Sequence, residues 1–243
     1  MRIPSGIKGL DDLLNGGLPK GRSILLAGHA GSGKTTFGLQ FLLKGAENGE
    51  NGIYVAFDEF PAKVRENMKA FGWDLKKYED EGTLAILDAI STRIASPTDE
   101  RYVEMRPFDV NSLIEDIYKL WKKTGAKRLV FDSITSFAVI LKDEFEIRKE
   151  ILRVSTALER LGCTSLFISE VEEGTNNISR FGVEEFIADG VIFLMYTKEG
   201  NTYKQYITVR KMKGVNHSKR IYEMEITKNG IVVHTRLDAL REV

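Results

Sequence analysis

Within this 243-residue sequence, the stretch "GHAGSGKT", Gly28 to Thr35, has residue types and spacing that specify a ligand. It fits G-x-x-x-x-G-K-[ST] in full. Glycines at such spacing let successive backbone N–H groups curl around phosphate oxygens, and a following helix adds positive potential at its N-terminus. Lys34 is placed to neutralise β- and γ-phosphates, and Thr35 to offer its hydroxyl to Mg²⁺. The expected nucleotide contacts are Gly28, His29, Ala30, Gly31, Ser32, Gly33, Lys34, Thr35 and Thr36. The context agrees, because a buried strand reads at Ser23–Ala27 and an amphipathic helix from Lys34 to Asn48. An incidental glycine-rich turn would need neither. The site is expected to bind a nucleoside triphosphate.

Such a site needs a second metal-side group, an acid closing an apolar core strand. "RLVFDS" supplies Asp132. An Asp after a strand is otherwise a turn former, but a P-loop upstream gives it the Mg²⁺ side of the site. Hydrolysis also needs a group to orient water, and "YVAFDEF" ends the strand after the P-loop helix with Asp58 and Glu59. Side chains alternate along a strand, so in regular geometry one of the two faces the γ-phosphate. Spacing alone leaves catalysis level with a role as acids at the N-terminus of a helix beginning near Pro61.

These groups must be carried by alternating elements. After the P-loop helix come a strand at Ile53–Phe57, a helix bearing Val64, Met68 and Phe71, and a strand at Leu84–Leu87. The polar segment from Ser91 to Phe108 reads as a long loop, solvated or touching a partner. An amphipathic helix from Val110 to Trp121 follows, then a strand at Leu129–Phe131. Ile147, Ile151, Val154, Leu158 and Leu161 mark another helix, before strands at Ser165–Ser169 and Val191–Tyr196. The alternation predicts an α/β fold, a mainly parallel sheet with helices on both faces. After Gly200 only strands read, at Tyr203–Lys211, Arg220–Ile226 and Ile231–Val233, with "KNG" as a hairpin turn. One domain over 1–243 is expected, a core of about 1–198 and an antiparallel β-meander of about 200–236.

Composition bounds the rest. Lys plus Arg number 35 and Asp plus Glu 35, which argues against a general nucleic-acid or membrane-surface binder. The N-terminal residues hold no apolar signal core, and no run approaches the roughly 20 residues that cross a bilayer. The single cysteine, Cys163, rules out an internal disulfide framework and reads as a small buried hydrophobe. A cytoplasmic protein is expected.

Taken together, "SGIKGLDDLLNGGLPKGRSILLAGHAGSGKTT", "YVAFDEF", "LVFDS", "SRFGVEEFIADGVIFL" and "KMKGVNHSKRIYEMEITKNGIVV" resemble the KaiC-like branch of RecA-superfamily ATPases. The likeness covers nearly the whole chain. It implies a RecA-like core that binds ATP and Mg²⁺ at sites between subunits of a homo-oligomer, with hexameric rings favoured. It also implies a catalytic role for the acids at Asp58 and Glu59. The family has two glutamates there, so Asp58 is one methylene short; Glu59 is assigned the water-activating role and Asp58 a supporting one. In "VRKMKGVNHSKR" the pattern K-M-K-G is similar to the family's K-L-R-G, whose cations reach the ATP of the neighbouring subunit. Lys211 and Lys213 are the matching residues, Lys213 replacing an Arg and so lacking its bidentate fork. His217 fits the family's histidine. The family's autophosphorylated hydroxyls have no counterpart, since "GVEEFIAD" offers Glu185 and Phe186; autokinase activity is not expected.

Two function classes compete. One is an oligomeric ATPase whose turnover switches a protein partner. The other is a RecA- or RadA-like recombination ATPase that binds single-stranded DNA through the loop "EEGTNNISRFG". That loop holds Asn176, Asn177 and Arg180, but also Glu172 and Glu173, and Phe181 is its one aromatic; a DNA-tracking groove needs cations and stacking rings. The ATPase core reads from almost the first residue, so no N-terminal DNA-binding domain is expected. The ATPase is therefore the favoured reading.

Overall fold

The computed structural model describes residues 1–235 apart from 95, 105–108, 139–140, 142, 173 and 176. Glu173 and Asn176, part of the 91–108 loop and the end of the expected meander at 236 lie outside the described residues. The strands are β1 (Arg2–Ile3), β2 (Leu18–Pro19), β3 (Ser23–Gly28), β4 (Gly52–Ala56), β5 (Leu84–Asp88), β6 (Arg128–Asp132), β7 (Thr164–Glu170), β8 (Gly190–Glu199), β9 (Thr202–Met212), β10 (Ile221–Thr227) and β11 (Gly230–Val233). The helices are α1 (Leu10–Leu13), α2 (Lys34–Glu47), α3 (Pro61–Lys69), α4 (Leu75–Asp80), α5 (Val110–Thr124), α6 (Ile134–Ala138), α7 (Glu144–Arg160) and α8 (Glu184–Ile187).

Nine strands form one sheet in the order β11-β10-β9-β8-β3-β7-β6-β4-β5. From β8 to β5 all pairings are parallel, and β8, β9, β10 and β11 pair antiparallel. The expected α/β fold is what the chain adopts, with the meander hydrogen-bonded onto the sheet through β8. Alternation along β3 splits the core into two layers. Ile24 and Leu26 pack with Phe37 and Phe41 of α2 on one face, and Leu25 and Ala27 face α5 and α7 on the other. Among the described residues no helix is long and apolar enough to cross a membrane.

Capping explains where the helices begin. Asp109 accepts from the N–H groups of Asn111 and Ser112 ahead of α5, Asp143 from Glu146 ahead of α7, and Asp74 from Lys76 ahead of α4. Short α1, α4, α6 and α8 carry too few turns to show an apolar period, so the sequence does not announce them. Cys163 is buried, its thiol directed at Ala126 O (3.4 Å), and burial raises its pKa to about 11.

Candidate nucleotide site

The P-loop leaves β3 at the centre of the sheet. Gly28 permits this, because a Cβ there would stand 2.5 Å from Leu194 O and 2.8 Å from Ser32 Oγ. Gly33 precedes α2 at φ 92°, and a Cβ there would lie 2.7 Å from Ile226 Cδ1. The Ser32 hydroxyl is buried and has no protein partner among the described residues. Lys34 is also buried, and its Nζ donates to Gly28 O (3.0 Å) and His29 O (2.8 Å). Burial lowers the pKa of this ammonium, against the pull of Glu170, Asp132 and Asp58. His29 accepts from Tyr196 N–H (3.3 Å) and sets its ring edge-on to Phe193, which ties the loop to β8.

β4 and β6 pair in parallel with Ala56 opposite Asp132, and Phe57 N–H donates to Asp132 O (2.6 Å). This register brings Asp132 and Asp58 to one edge of the P-loop. Thr35 Oγ1 donates to Asp132 Oδ2 at 2.7 Å, and so does the Tyr54 hydroxyl at 2.7 Å. Burial lifts the Asp132 carboxyl to about 6 against these two donors, and burial with Asp132 beside it raises the Tyr54 phenol. A carboxylate beside a P-loop hydroxyl is an all-oxygen donor pair that fits Mg²⁺, an ion normally completed by phosphate and water oxygens. Among the described residues no cluster of three or more Asp, Glu, His or Cys groups could hold a metal by itself.

The cavity over these groups holds about 430 Å³ and is lined by Lys34, Thr35, Asp58, Glu59, Asp132 and Glu170, among others. Phe71 and Ile226 add an apolar wall beside Gly33. That volume falls in the usual range for small-molecule sites. The two paired acids differ in surroundings. Asp58 Oδ1 accepts from Ser136 Oγ, and its charge is felt by Lys34 and Asp132. Glu59 Oε1 accepts from Asn67 Nδ2 of α3 at 2.9 Å, with Lys63 Nζ at 3.8 Å.

The candidate cations of the meander lie elsewhere. Lys211 Nζ donates to Glu185 O (3.0 Å) and Ala188 O (2.7 Å), and Lys213 Nζ pairs with Asp189 Oδ1 at 2.9 Å. Burial raises the Asp189 carboxyl, yet Lys213 and Arg22 outweigh it and hold the carboxyl below its ordinary value. Asp189 N–H donates to Ser23 O at the start of β3, whereas the P-loop leaves its end. Ser23 to Gly28 spans about 17 Å along the strand, so this pair and the P-loop sit at opposite edges of the sheet. His217 keeps to this far edge, its Nδ1 2.8 Å from Ser218 O.

Sequence reasoning missed Tyr54, Ser136 and Glu170. Tyr54 and Ser136 meet their partners across 78 residues each, through strand order alone. Glu170 carried a signal: like Asp132, it is an acid closing an apolar strand.

Comparison with known proteins follows the same direction. The family described as "ATPase: KaiC" matches residues 3–238. A UPF0273 protein of Pyrococcus horikoshii is 38% identical over 234 residues, covering 96% of this chain and 94% of that one. The circadian clock oscillator protein KaiC of Synechococcus elongatus is 39% identical over 226 residues, which is 93% of this chain and 42% of that one. Among solved structures, a KaiC-like protein from the hyperthermophilic archaeon Pyrococcus horikoshii OT3 aligns with a TM-score of 0.84 and 41% identity. It covers 96% of this chain and 99% of that one.

Proposed function

This chain belongs to the KaiC family of ATPases, and from that premise we propose that it hydrolyses ATP with Mg²⁺ at sites shared between subunits of a homo-oligomer, a hexameric ring being favoured. The observation that carries the reading is the 2.7 Å bond between Thr35 Oγ1 and Asp132 Oδ2 in the cavity that holds Lys34, Asp58 and Glu59. Phosphate oxygens would take over the Lys34 ammonium from the carbonyls of Gly28 and His29. Thr35 and Asp132 would hold Mg²⁺, which when bound neutralises charge on the phosphates. The Asp58 carboxylate is held by Ser136 Oγ and acts on both Lys34 and Asp132, which supports Asp58 as the acid that orients water; Glu59 serves as a second acid that must leave Asn67 to take part. That division differs from the one expected from side-chain length.

The position of Lys211 and Lys213 supports a shared site. About 17 Å of strand separates them from their own P-loop, so a phosphate they touch belongs to a neighbour. We take the whole chain as one such ATPase unit working in the cytoplasm, its turnover switching a protein partner. No autokinase step is proposed, because "GVEEFIAD" offers no hydroxyl. Single-stranded DNA binding is less well supported, since Arg180 of the candidate loop is already paired with Glu172. One experiment tests the reading: ATP turnover and molar mass measured together, with and without single-stranded DNA. Mg²⁺-dependent turnover by an oligomer, indifferent to DNA, is the expected result. A fully active monomer, or turnover that requires DNA and is lost with salt, overturns it.

A further inference from the structure

The loop after β5 reads from sequence as a solvated connection, yet its first turns are tightly folded. Asp88 is buried and accepts from the N–H groups of Ile90 and Ser91 and from the hydroxyls of Ser91 (2.6 Å) and Thr98 (3.1 Å). This knot turns the chain back over the end of β5. A single 3₁₀ turn, Thr92–Ile94, then directs Arg93 beneath the connection between β4 and α3.

Arg93 grips two segments there. Its Nη1 donates to Phe57 O (3.4 Å) and its Nη2 to Ser136 O (3.2 Å), and the guanidinium lies 5.7 Å from the centre of the Phe57 ring. Phe57 immediately precedes Asp58, and Ser136 is the residue whose hydroxyl bonds the Asp58 carboxylate. One planar fork thus spans the backbone that carries the acid and the backbone that carries its hydrogen-bond donor, a geometry that suits Arg and not a flexible point charge. The far end of the same loop is anchored as well. Arg65 of α3 binds Glu79 (2.7 Å) and, in two bonds of 2.6 Å, Glu100. The helix beginning just after Asp58 and Glu59 is therefore tied to the loop whose other end holds Arg93. Burial lowers the guanidinium pKa, and the Asp58 carboxylate opposes that shift.

We propose that Arg93 is a positioning residue for ATP hydrolysis, fixing the Asp58 carboxylate at the γ-phosphate edge of the cavity by holding the Phe57 and Ser136 backbones together. The proposal rests on the functional reading above. Arg93 does not line the nucleotide cavity, so its effect passes through Asp58 and leaves ATP binding alone.

A double-mutant cycle on the full chain tests this, with kcat and KM for ATP measured for the parent, Arg93→Met, Asp58→Asn and the double variant. Arg93→Met should lower kcat at least about tenfold while KM stays within about twofold, because misplacing a catalytic group by an ångström can cost up to about a hundredfold. In the Asp58→Asn background the same change should cost less than about twofold. Equal losses in both backgrounds, or a loss carried wholly by KM, overturn the proposal. If Arg93→Met fails to fold, Arg93→Lys enters the cycle, keeping the charge and giving up the two-point grip, with the same pattern expected. A parent without Mg²⁺-dependent turnover sinks the functional reading and this inference with it. A parent that turns over, slowed by Asp58→Asn and untouched by Arg93→Met, sinks this inference only.

Discussion

Mixing two inactive variants decides whether the far-edge cations act on a neighbour. Lys34→Ala removes the phosphate counter-charge of the P-loop, and the double change Lys211→Ala/Lys213→Ala removes the cations while leaving the P-loop intact. Stabilisation of transferring phosphate by such a group is worth about 100-fold or more, so each preparation alone should be nearly silent. Release of Lys213 from its resting partner is not prohibitive. The Lys213 side chain is 55% exposed where it meets Asp189, so water screens the pair on the lysine side although the Asp189 side chain is only 12% exposed. In a head-to-tail ring each site takes its P-loop from one subunit and its cations from the next. With random mixing at equal ratio, an intact P-loop meets an intact cation pair at about a quarter of the interfaces, whatever the ring size. Steady-state phosphate release after subunit exchange should therefore rise to about a quarter of the parental rate per subunit. Recovery should vanish when the mixture is diluted below the assembly threshold. If sites were completed within one chain, every subunit would lack one half and mixing would restore nothing. That result, in rings shown to have exchanged, would refute the trans assignment of Lys211 and Lys213.

Other outcomes follow from the same geometry. Lys34→Ala alone should abolish ATP binding by calorimetry with the fold intact; affinity kept within threefold of the parent, about 0.65 kcal/mol, would sink the P-loop assignment. Asp58→Asn should slow turnover about 100-fold or more with ATP binding unchanged, and Glu59→Gln should cost less, both read by single-turnover hydrolysis. The reverse order would mean that Glu59 leaves Asn67 and takes the water. Arg128→Ala should destabilise by about 3 kcal/mol or more, because it strips a fully buried guanidinium that holds Glu50, Pro4 O and Phe41 O and lies over the Phe41 ring. A urea midpoint shift worth less than 1 kcal/mol would show those contacts to be dispensable.

What the sequence made legible was local. Apolar Ser23–Ala27 followed by glycines and Lys34 encodes strand, loop and helix within one continuous segment, so the P-loop could be read residue by residue. Asp132 was legible because an acid closing an apolar strand is a short-range pattern. The pairing of Thr35 with Asp132 spans 97 residues, however, and depends on β6 lying two strands from β3, an order no local signal records. The surroundings that separate Asp58 from Glu59 are equally non-local. Side-chain length favours Glu59, but Ser136 and the field of Lys34 reach Asp58 only once α6 and α2 are packed beside β4. "GVEEF" hid a further role. Glu184 is buried and accepts from Ser169 Oγ (3.1 Å) and from the N–H groups of Phe181 and Val183, so this acid folds the preceding loop rather than facing solvent.

Strand direction accounts for the division of labour along the C-terminal third. β8 runs parallel to β3 and so ends at the P-loop edge, where Tyr196 N–H meets His29. β9 runs back, which carries Lys211, Lys213 and His217 to the opposite edge. β10 returns, and the turn from Thr227 to Gly230 arrives again beside the P-loop, with Ile226 against Gly33 and Ile231 N–H donating to Gln40 of α2 at 2.7 Å. Each reversal therefore moves the chain between the P-loop edge and the opposite edge of the sheet. Lys211 near the end of β9 and Lys213 just after it lie across the sheet from their own P-loop, so under the proposed ring assembly the antiparallel meander presents them to a neighbouring subunit.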